Sequence, residues 1–209
     1  NAGWELSINM SEDNINQPED SPSVNDIDIS IPDLLIPPLP DEEEVDEIKD
    51  EVDVSFNFAF IGAGQGGSRI AETFHTLGYR KVAALNTAEQ DLNTIKLKNK
   101  LLIGDGGAGK DRGFADSIFK KRREDVIDFM RYSFGEQIDR IFICAGAGGG
   151  TGSGILSSLT EAAAELQETV NAKSKQVGVI LALPKKSEGG KVAANAKETL
   201  NDIWKLVDS

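Results

Sequence analysis

Three short apolar runs in this chain each run directly into a glycine cluster, and each cluster opens a helical pattern. The clusters are "GAGQGG" at 62–67, "GDGGAGKDRG" at 104–113 and the densest, 146–154, where five of the seven residues from Gly146 to Gly152 are glycine. Inside a regular element a glycine costs roughly 0.5–1 kcal/mol relative to alanine. Such density between greasy segments therefore marks places where bare backbone is needed.

The intervening sequence supplies the frame. "SFNFAFI" (55–61), "KVAAL" (81–85), "LLI" (101–103), "RIFICA" (140–145) and "QVGVILAL" (176–183) read as strands. Between them apolar residues recur at helical spacing. The pattern predicts a helix carrying Ile70, Phe74 and Leu77, and a short helix over 88–94. One long helix follows, with Phe114, Ile118, Val126, Phe129 and Met130 on its apolar side. Another carries Ile155, Leu159, Leu166 and Val170, and a last one Ala196, Leu200, Ile203 and Val207, with Trp204 assigned to the core. Strands alternating with helices imply an α/β fold, a Rossmann-like parallel sheet with helices on both faces.

Charge divides the chain in two. Residues 1–54 hold 17 of the 35 acidic residues against one basic residue, Lys49, while residues 55–209 carry 18 acidic and 21 basic residues. Six of the seven prolines fall within 18–40. A segment of that composition buries too little surface to offset its ordering entropy, so 1–54 is expected to be a disordered acidic tail. Within it, "DIDISIPDLLIPPLP" (26–40) alternates isoleucines before a proline-rich apolar patch, the pattern of a docking motif for a protein partner. An acidic tail beside a nearly neutral domain argues against direct nucleic-acid binding. A single cysteine, Cys144, no membrane-length apolar run and an acidic N-terminus lead to the expectation of a cytoplasmic protein.

In parallel α/β sheets ligands bind beyond the carboxyl ends of the strands, where helix N-termini present free N–H groups. Three glycine loops on one such edge point to a polyphosphate ligand. Two common motifs fit only in part. Gly62, Gly64 and Gly67 match the dinucleotide fingerprint, which would make the chain an NAD(P)-binding oxidoreductase, yet the second strand ends in Asn86-Thr87 without the acidic residue that holds a ribose. Gly104, Gly109 and Lys110 approach the P-loop pattern, but Asp111 stands where a Ser or Thr should bind magnesium.

"GGGTGSG", Gly148 to Gly154, resembles the signature loop of the tubulin/FtsZ family of GTPases, and other segments follow in that family's order. "GAGQGGSR" is similar to its first phosphate loop, and "LNTAEQDL" (85–92) to the bacterial Asn-Thr-Asp-x-Gln-x-Leu, with Ala88 in place of the aspartate. "GDGGAGKD" resembles the loop that closes over the γ-phosphate, and "LPKKSEGG" (183–190) the Pro and Glu-Gly loop. The resemblance covers residues 55–209 and implies a GTP/GDP- and Mg²⁺-binding domain of a filament-forming cytoskeletal protein that associates head to tail.

It also implies roles. Gly148, Gly149, Gly150 and Thr151 would wrap the α- and β-phosphates, flanked by Ala147 and Gly152. Gly64, Gln65, Gly66 and Gly67 would bind from the first loop. Gly107, Ala108 and Gly109 would approach the γ-phosphate, and Asn86 would help place Mg²⁺. Glu188, next to Pro184, would take the ribose hydroxyls, with Lys191 as the basic residue that follows. The family's guanine-reading residues and its second domain, whose acidic loop completes hydrolysis in the neighbouring subunit, have no counterpart in these residues. The catalytic residues are therefore unknown, and the expectation is a fragment lacking that domain. A non-polymerising nucleotide-binding or scaffold protein is the alternative. His75 reads as a helix-surface residue, Cys144 as a small core residue and "KKRRED" (120–125) as a solvated helix face.

Overall fold

A computed structural model describes residues 56–170 and 177–207. The expected acidic tail, with its docking motif at 26–40, lies outside the described residues. The elements follow in the order β1 (Phe58–Ala63), α1 (Gly64–Thr76), β2 (Val82–Asn86), α2 (Glu89–Asn93), β3 (Asn99–Leu102), α3 (Arg112–Lys121), α4 (Arg123–Phe134), β4 (Arg140–Gly146), α5 (Thr151–Val170), β5 (Gly178–Ala182) and α6 (Gly190–Val207), with a 3-10 turn at Lys186–Glu188 before α6. All strand pairs are parallel, in the order β3-β2-β1-β4-β5. The α/β reading therefore holds. Ala63 pairs with both Leu85 and Ala145, so β1, β2 and β4 end at the same level.

Alternation along the strands divides the core between two faces. Ala59, Ile61 and Ala63 pack with Ile141, Ile143 and Ala145 beneath α3, α4 and α5. Phe60, Val82, Ala84 and Cys144 face the other way, against Ala71, Ile70 and Phe74 of α1 and against Leu92, Ile95 and Leu97. Phe60 stacks on Phe74 with centroids 4.0 Å apart and on Phe142 at 5.3 Å. Among the described residues no helix is long and apolar enough to cross a membrane.

Three expectations about helices change. The single long helix is two, α3 and α4, broken at Arg122, whose backbone (φ −113°, ψ 15°) leaves the helical region. Neither glycine nor proline marks that break. The order of charges does: Lys120 and Lys121 close α3, and Glu124 and Asp125 open α4, each sign complementing its helix end. The "KKRRED" run is thus two helix termini, although its side chains are solvated as expected. Phe114, at 52% exposure, yields the buried positions to Ala115 and Phe119. Leu77 is also exposed, beyond the end of α1.

The third change concerns α6. Trp204 is 64% exposed and Leu200 lies outside the core, while Val192, Asn195, Ala196 and Thr199 are buried. The buried stripe is rotated away from the most apolar residues because Asn195 and Thr199 find hydrogen-bond partners on the loops below. A polar face is buried when its groups are paired.

Candidate functional site

Strand β1 feeds its connection toward β2, on one side, and β4 feeds its connection toward β5, on the other. The gap between them is the point where the strand order reverses, and a cleft of about 730 Å³ opens there at the carboxyl ends of the strands. Helices α1 and α5 begin side by side at its floor. A Cβ at Gly152 would lie 2.5 Å from the Ala63 carbonyl oxygen, so the two helix starts meet only through glycine. Gly64, with φ 68°, turns the chain from β1 straight into α1. The first turn of neither helix carries an acidic residue, and no side chain caps α1. Two positive helix ends with free N–H groups therefore face the same space.

Three more segments enclose it. The loop after β3 is pinned by Gly106 and Gly107, whose N–H groups donate to the Thr87 carbonyl at 3.2 and 2.9 Å. Thr87 also shares a 2.7 Å hydroxyl–hydroxyl bond with Thr151, which ties the end of β2 to the start of α5. Thr151, expected to help wrap the phosphates, thus has a protein partner for its hydroxyl. Asn86 is buried; its Oδ1 accepts from Thr87 N at 2.8 Å and its Nδ2 donates to Asp91 Oδ2 at 3.1 Å. On the opposite rim Glu188 accepts from the Lys185 N–H at 2.7 Å.

Helix α6 locks these loops together. Asn195 Nδ2 donates to the carbonyls of Gly149 (2.9 Å), Lys110 (3.1 Å) and Gly148 (3.3 Å), and Thr199 Oγ1 donates to Ala147 at 3.2 Å. Arg112 adds ion pairs to Glu198 (2.7 Å) and Asp202 (2.6 Å). Sequence reasoning missed Asn195 and Arg112. The only signal was for Arg112, an arginine just after a glycine loop.

Of the residues singled out in the sequence, Gly64, Gln65, Gly66, Asn86, Gly107, Ala108 and Gly109 line the cleft, as do Gly148, Gly149, Gly150, Thr151, Gly152, Pro184 and Glu188. Three do not. Ala147 is fully buried behind the loop. Lys191 lies at the rim, its Nζ 3.5 Å from the Gly109 carbonyl oxygen. Gly67 is buried beneath the Cys144 carbonyl, which its missing Cβ leaves room for. The lining also includes Asp91, Lys110 and Val192, which sequence reasoning left out of the site. Asp111, the residue that spoiled the P-loop pattern, accepts from Phe114 N at 3.0 Å and is the N-cap of α3. The end of β2, where a dinucleotide fold needs an acidic residue, holds the hydrogen-bonded Asn86.

Cys144 is buried against Gly67, and burial pushes its thiol up to about 12. At pH 8 it should stay protonated and resist alkylation until the domain unfolds. Rapid labelling of the native protein by iodoacetamide would show instead that the contact between α1 and β4 opens.

Residues 57–209 match the profile of the Tubulin/FtsZ family, GTPase domain. This chain belongs to that family. Among its relatives, FtsZ 1 of Pyrococcus woesei is 29% identical over 189 residues, covering 87% of this chain and 48% of the relative. The tubulin-like protein TubZ of Bacillus cereus is 31% identical over 173 residues, covering 75% and 38%. Among solved structures, a GTPγS-bound protofilament of CetZ2 from Haloferax volcanii superposes with a TM-score of 0.62 at 28% identity, over 71% of this chain and 46% of that one. Residues 57–209 are thus a tubulin/FtsZ-type GTPase domain, and the chain spans less than half the length of these relatives.

Proposed function

We propose that residues 55–209 bind GTP and GDP in the cleft and act as the nucleotide-binding part of a filament-forming cytoskeletal protein. The observation that carries this reading is the pair of helix N-termini, neither with an acidic residue in its first turn, meeting at the strand-order reversal and ringed by three glycine loops. Gly148, Gly149, Gly150 and Thr151 offer backbone N–H groups to the α- and β-phosphates from the start of α5, with Gly152 continuing the turn. Gln65 and Gly66 approach from α1, and Gly107, Ala108 and Gly109 from the loop that faces the γ-phosphate. The Glu188 carboxylate, beside Pro184, accepts from the ribose hydroxyls. Such fixed dipoles cost no reorganisation when an anion arrives.

The donor set around the phosphates suits Mg²⁺. The cleft lining contains neither His nor Cys, and its oxygen donors near β2 are the Asp91 carboxylate and the neighbouring hydroxyl and amide groups. Magnesium is commonly held by one or two carboxylates together with substrate phosphates. Asp91, oriented by Asn86 at 3.1 Å, would supply the carboxylate that the bacterial pattern places at Ala88. When bound, the ion neutralises phosphate charge.

Self-association follows the relatives, one of which has been solved as a protofilament. In this reading subunits associate head to tail, hydrolysis requires acidic residues brought by a neighbouring subunit, and the acidic segment 1–54 is a recruiting arm for a protein partner. A non-polymerising nucleotide-binding protein is the second reading, favoured by Ala88 at the position of the family aspartate.

The deciding experiment is to denature the purified protein, identify any released nucleotide by chromatography, and titrate GTP, ATP and NAD by calorimetry. Guanine nucleotide in the extract and selective GTP binding are expected. Binding of NAD alone, or of no nucleotide, would overturn the proposal. GTP-dependent pelleting then separates the polymerising from the non-polymerising reading.

A further inference from the structure

We propose that Thr87 is a positioning residue for the nucleotide: its hydroxyl donates to Thr151 and so leaves the Thr151 proton for the bound phosphates. The inference rests on the nucleotide reading above and adds to it a buried side chain that lies outside the cleft lining.

Hydrogen-bond accounting gives the first argument. Thr87 is fully buried, whereas Thr151, at 8% exposure, lines the cleft. Their hydroxyl oxygens stand 2.7 Å apart, and either is placed to donate. Each hydroxyl carries one proton, so one proton fills the bond and the other needs a second acceptor. If Thr151 donated, the Thr87 proton would be left over. Thr87 is sealed from solvent, and Thr151 is the one partner of its hydroxyl among the described residues. A buried donor without an acceptor costs the desolvation of the whole group. If Thr87 donates, the proton left over is that of Thr151, at the cleft wall, where phosphate oxygens accept. Only this second arrangement leaves no buried donor unpaired once a nucleotide is bound.

Rigidity gives the second. The other polar groups of Thr87 are all fixed. Its N–H donates to Asn86 Oδ1 at 2.8 Å, and its carbonyl accepts from Gly106 N and Gly107 N at 3.2 and 2.9 Å. Thr151 is confined from the other side, since a Cβ on Gly64 would come within 3.4 Å of the Thr151 Cβ. Branching at Cβ restricts χ1 in both residues. The two hydroxyls therefore form a preset chain. Donation by Thr87 polarises the Thr151 hydroxyl and strengthens it as a donor, and no rotor has to be reset when the anion arrives. Neighbours at the end of β2 thus divide the work: Asn86 orients Asp91, and Thr87 orients Thr151.

The test uses the full chain and titrates GDP and GTPγS calorimetrically into the wild type, Thr87→Val, Thr87→Ser, Thr151→Val and the double variant Thr87→Val/Thr151→Val. Thr87→Val keeps the branched shape and removes the hydroxyl. It should lose about three- to tenfold in affinity for both nucleotides, as expected for one hydrogen bond. Thr87→Ser restores the hydroxyl and should recover most of that loss. Thr151→Val removes the charge-assisted contact itself and should lose more, about tenfold or above. The double variant should be no weaker than Thr151→Val alone, because Thr87 acts through Thr151. Thr87→Ala repeats the cycle, so the result does not hang on one variant folding. Unchanged binding in Thr87→Val, a loss in Thr87→Ser as large as in Thr87→Val, or additive losses in the double variant would overturn the assignment. Equal losses in Thr87→Val and Thr151→Val would reduce the pair to a structural tie and overturn it too. A wild type that binds neither nucleotide would instead bring down the nucleotide reading, and this inference with it.

Discussion

Gly149→Asp should abolish measurable nucleotide binding while leaving the fold intact. Gly149 is exposed at the cleft, and the nearest atom to a Cβ there is the Gly146 carbonyl oxygen at 3.9 Å. A Cβ at 149 therefore meets no protein atom closer than ordinary van der Waals contact and stands in the cleft assigned to the phosphates. Aspartate adds a negative charge at the mouth of two helix dipoles. Two like charges about 4 Å apart at an effective dielectric near 20 repel by about 4 kcal/mol, roughly a thousandfold in affinity. Gly149→Ala adds bulk without charge and should weaken binding far less. The measurements are calorimetric titration with GTP and thermal unfolding, side by side. An aspartate variant that melts like the wild type and binds GTP normally would remove this loop from the nucleotide site.

The contrast between Gly149 and its neighbours shows how much of the site the sequence made legible. Glycine density located the cleft and its three loops, because phosphate chemistry and close backbone packing both demand residues without a Cβ. The same density hid which demand each glycine answers. Gly148 is filled by Val192, Gly150 by Lys110, Gly152 by Ala63 and Gly154 by Arg112, so these positions let protein segments meet. Gly66, Gly106, Gly109, Gly146 and Gly149 are the ones in these loops whose missing Cβ faces the cleft or open space. No spacing rule separates the two groups, since the difference lies in contacts made by distant elements. Asn195 was invisible for the same reason. Its role exists only once α6 lies across loops that precede it by 46 and 85 residues. The alternating strands and helices of the parallel sheet were readable because each element depends on local periodicity, whereas the order of the strands in the sheet does not. The break at Arg122 was written in the charge order of "KKRRED" and could be read there.

Gly67→Ala tests that distinction at the position where sequence and structure assign different jobs. In the sequence Gly67 belongs to the first phosphate loop. In the structure it is buried in the first turns of α1, and a Cβ would overlap the Cys144 carbonyl oxygen and stand 2.8 Å from its carbonyl carbon. The obstacle is the backbone of a central strand, hydrogen-bonded between β1 and β5, so it cannot step aside as the tip of a side chain would. Helix α1 has to lift from the sheet, opening the packing of Ala71 and Phe74 on Phe60. Overpacking a well-filled core costs about 1–3 kcal/mol, and a collision with fixed backbone belongs at or above the upper end. At roughly 2–4 °C per kcal/mol for a domain of this size, the melting temperature should fall by about 10 °C. Gly66→Ala is the matched control. Its Cβ meets nothing closer than the Gly146 Cα at 3.8 Å, and alanine is the better helix former, so stability should hold or rise while nucleotide affinity falls. Thermal unfolding and GTP titration of the pair should therefore cross over, with the stability loss at 67 and the affinity loss at 66. If Gly67→Ala melts with the wild type and loses only affinity, the α1–β4 contact is looser than described, and Gly67 returns to the phosphate loop.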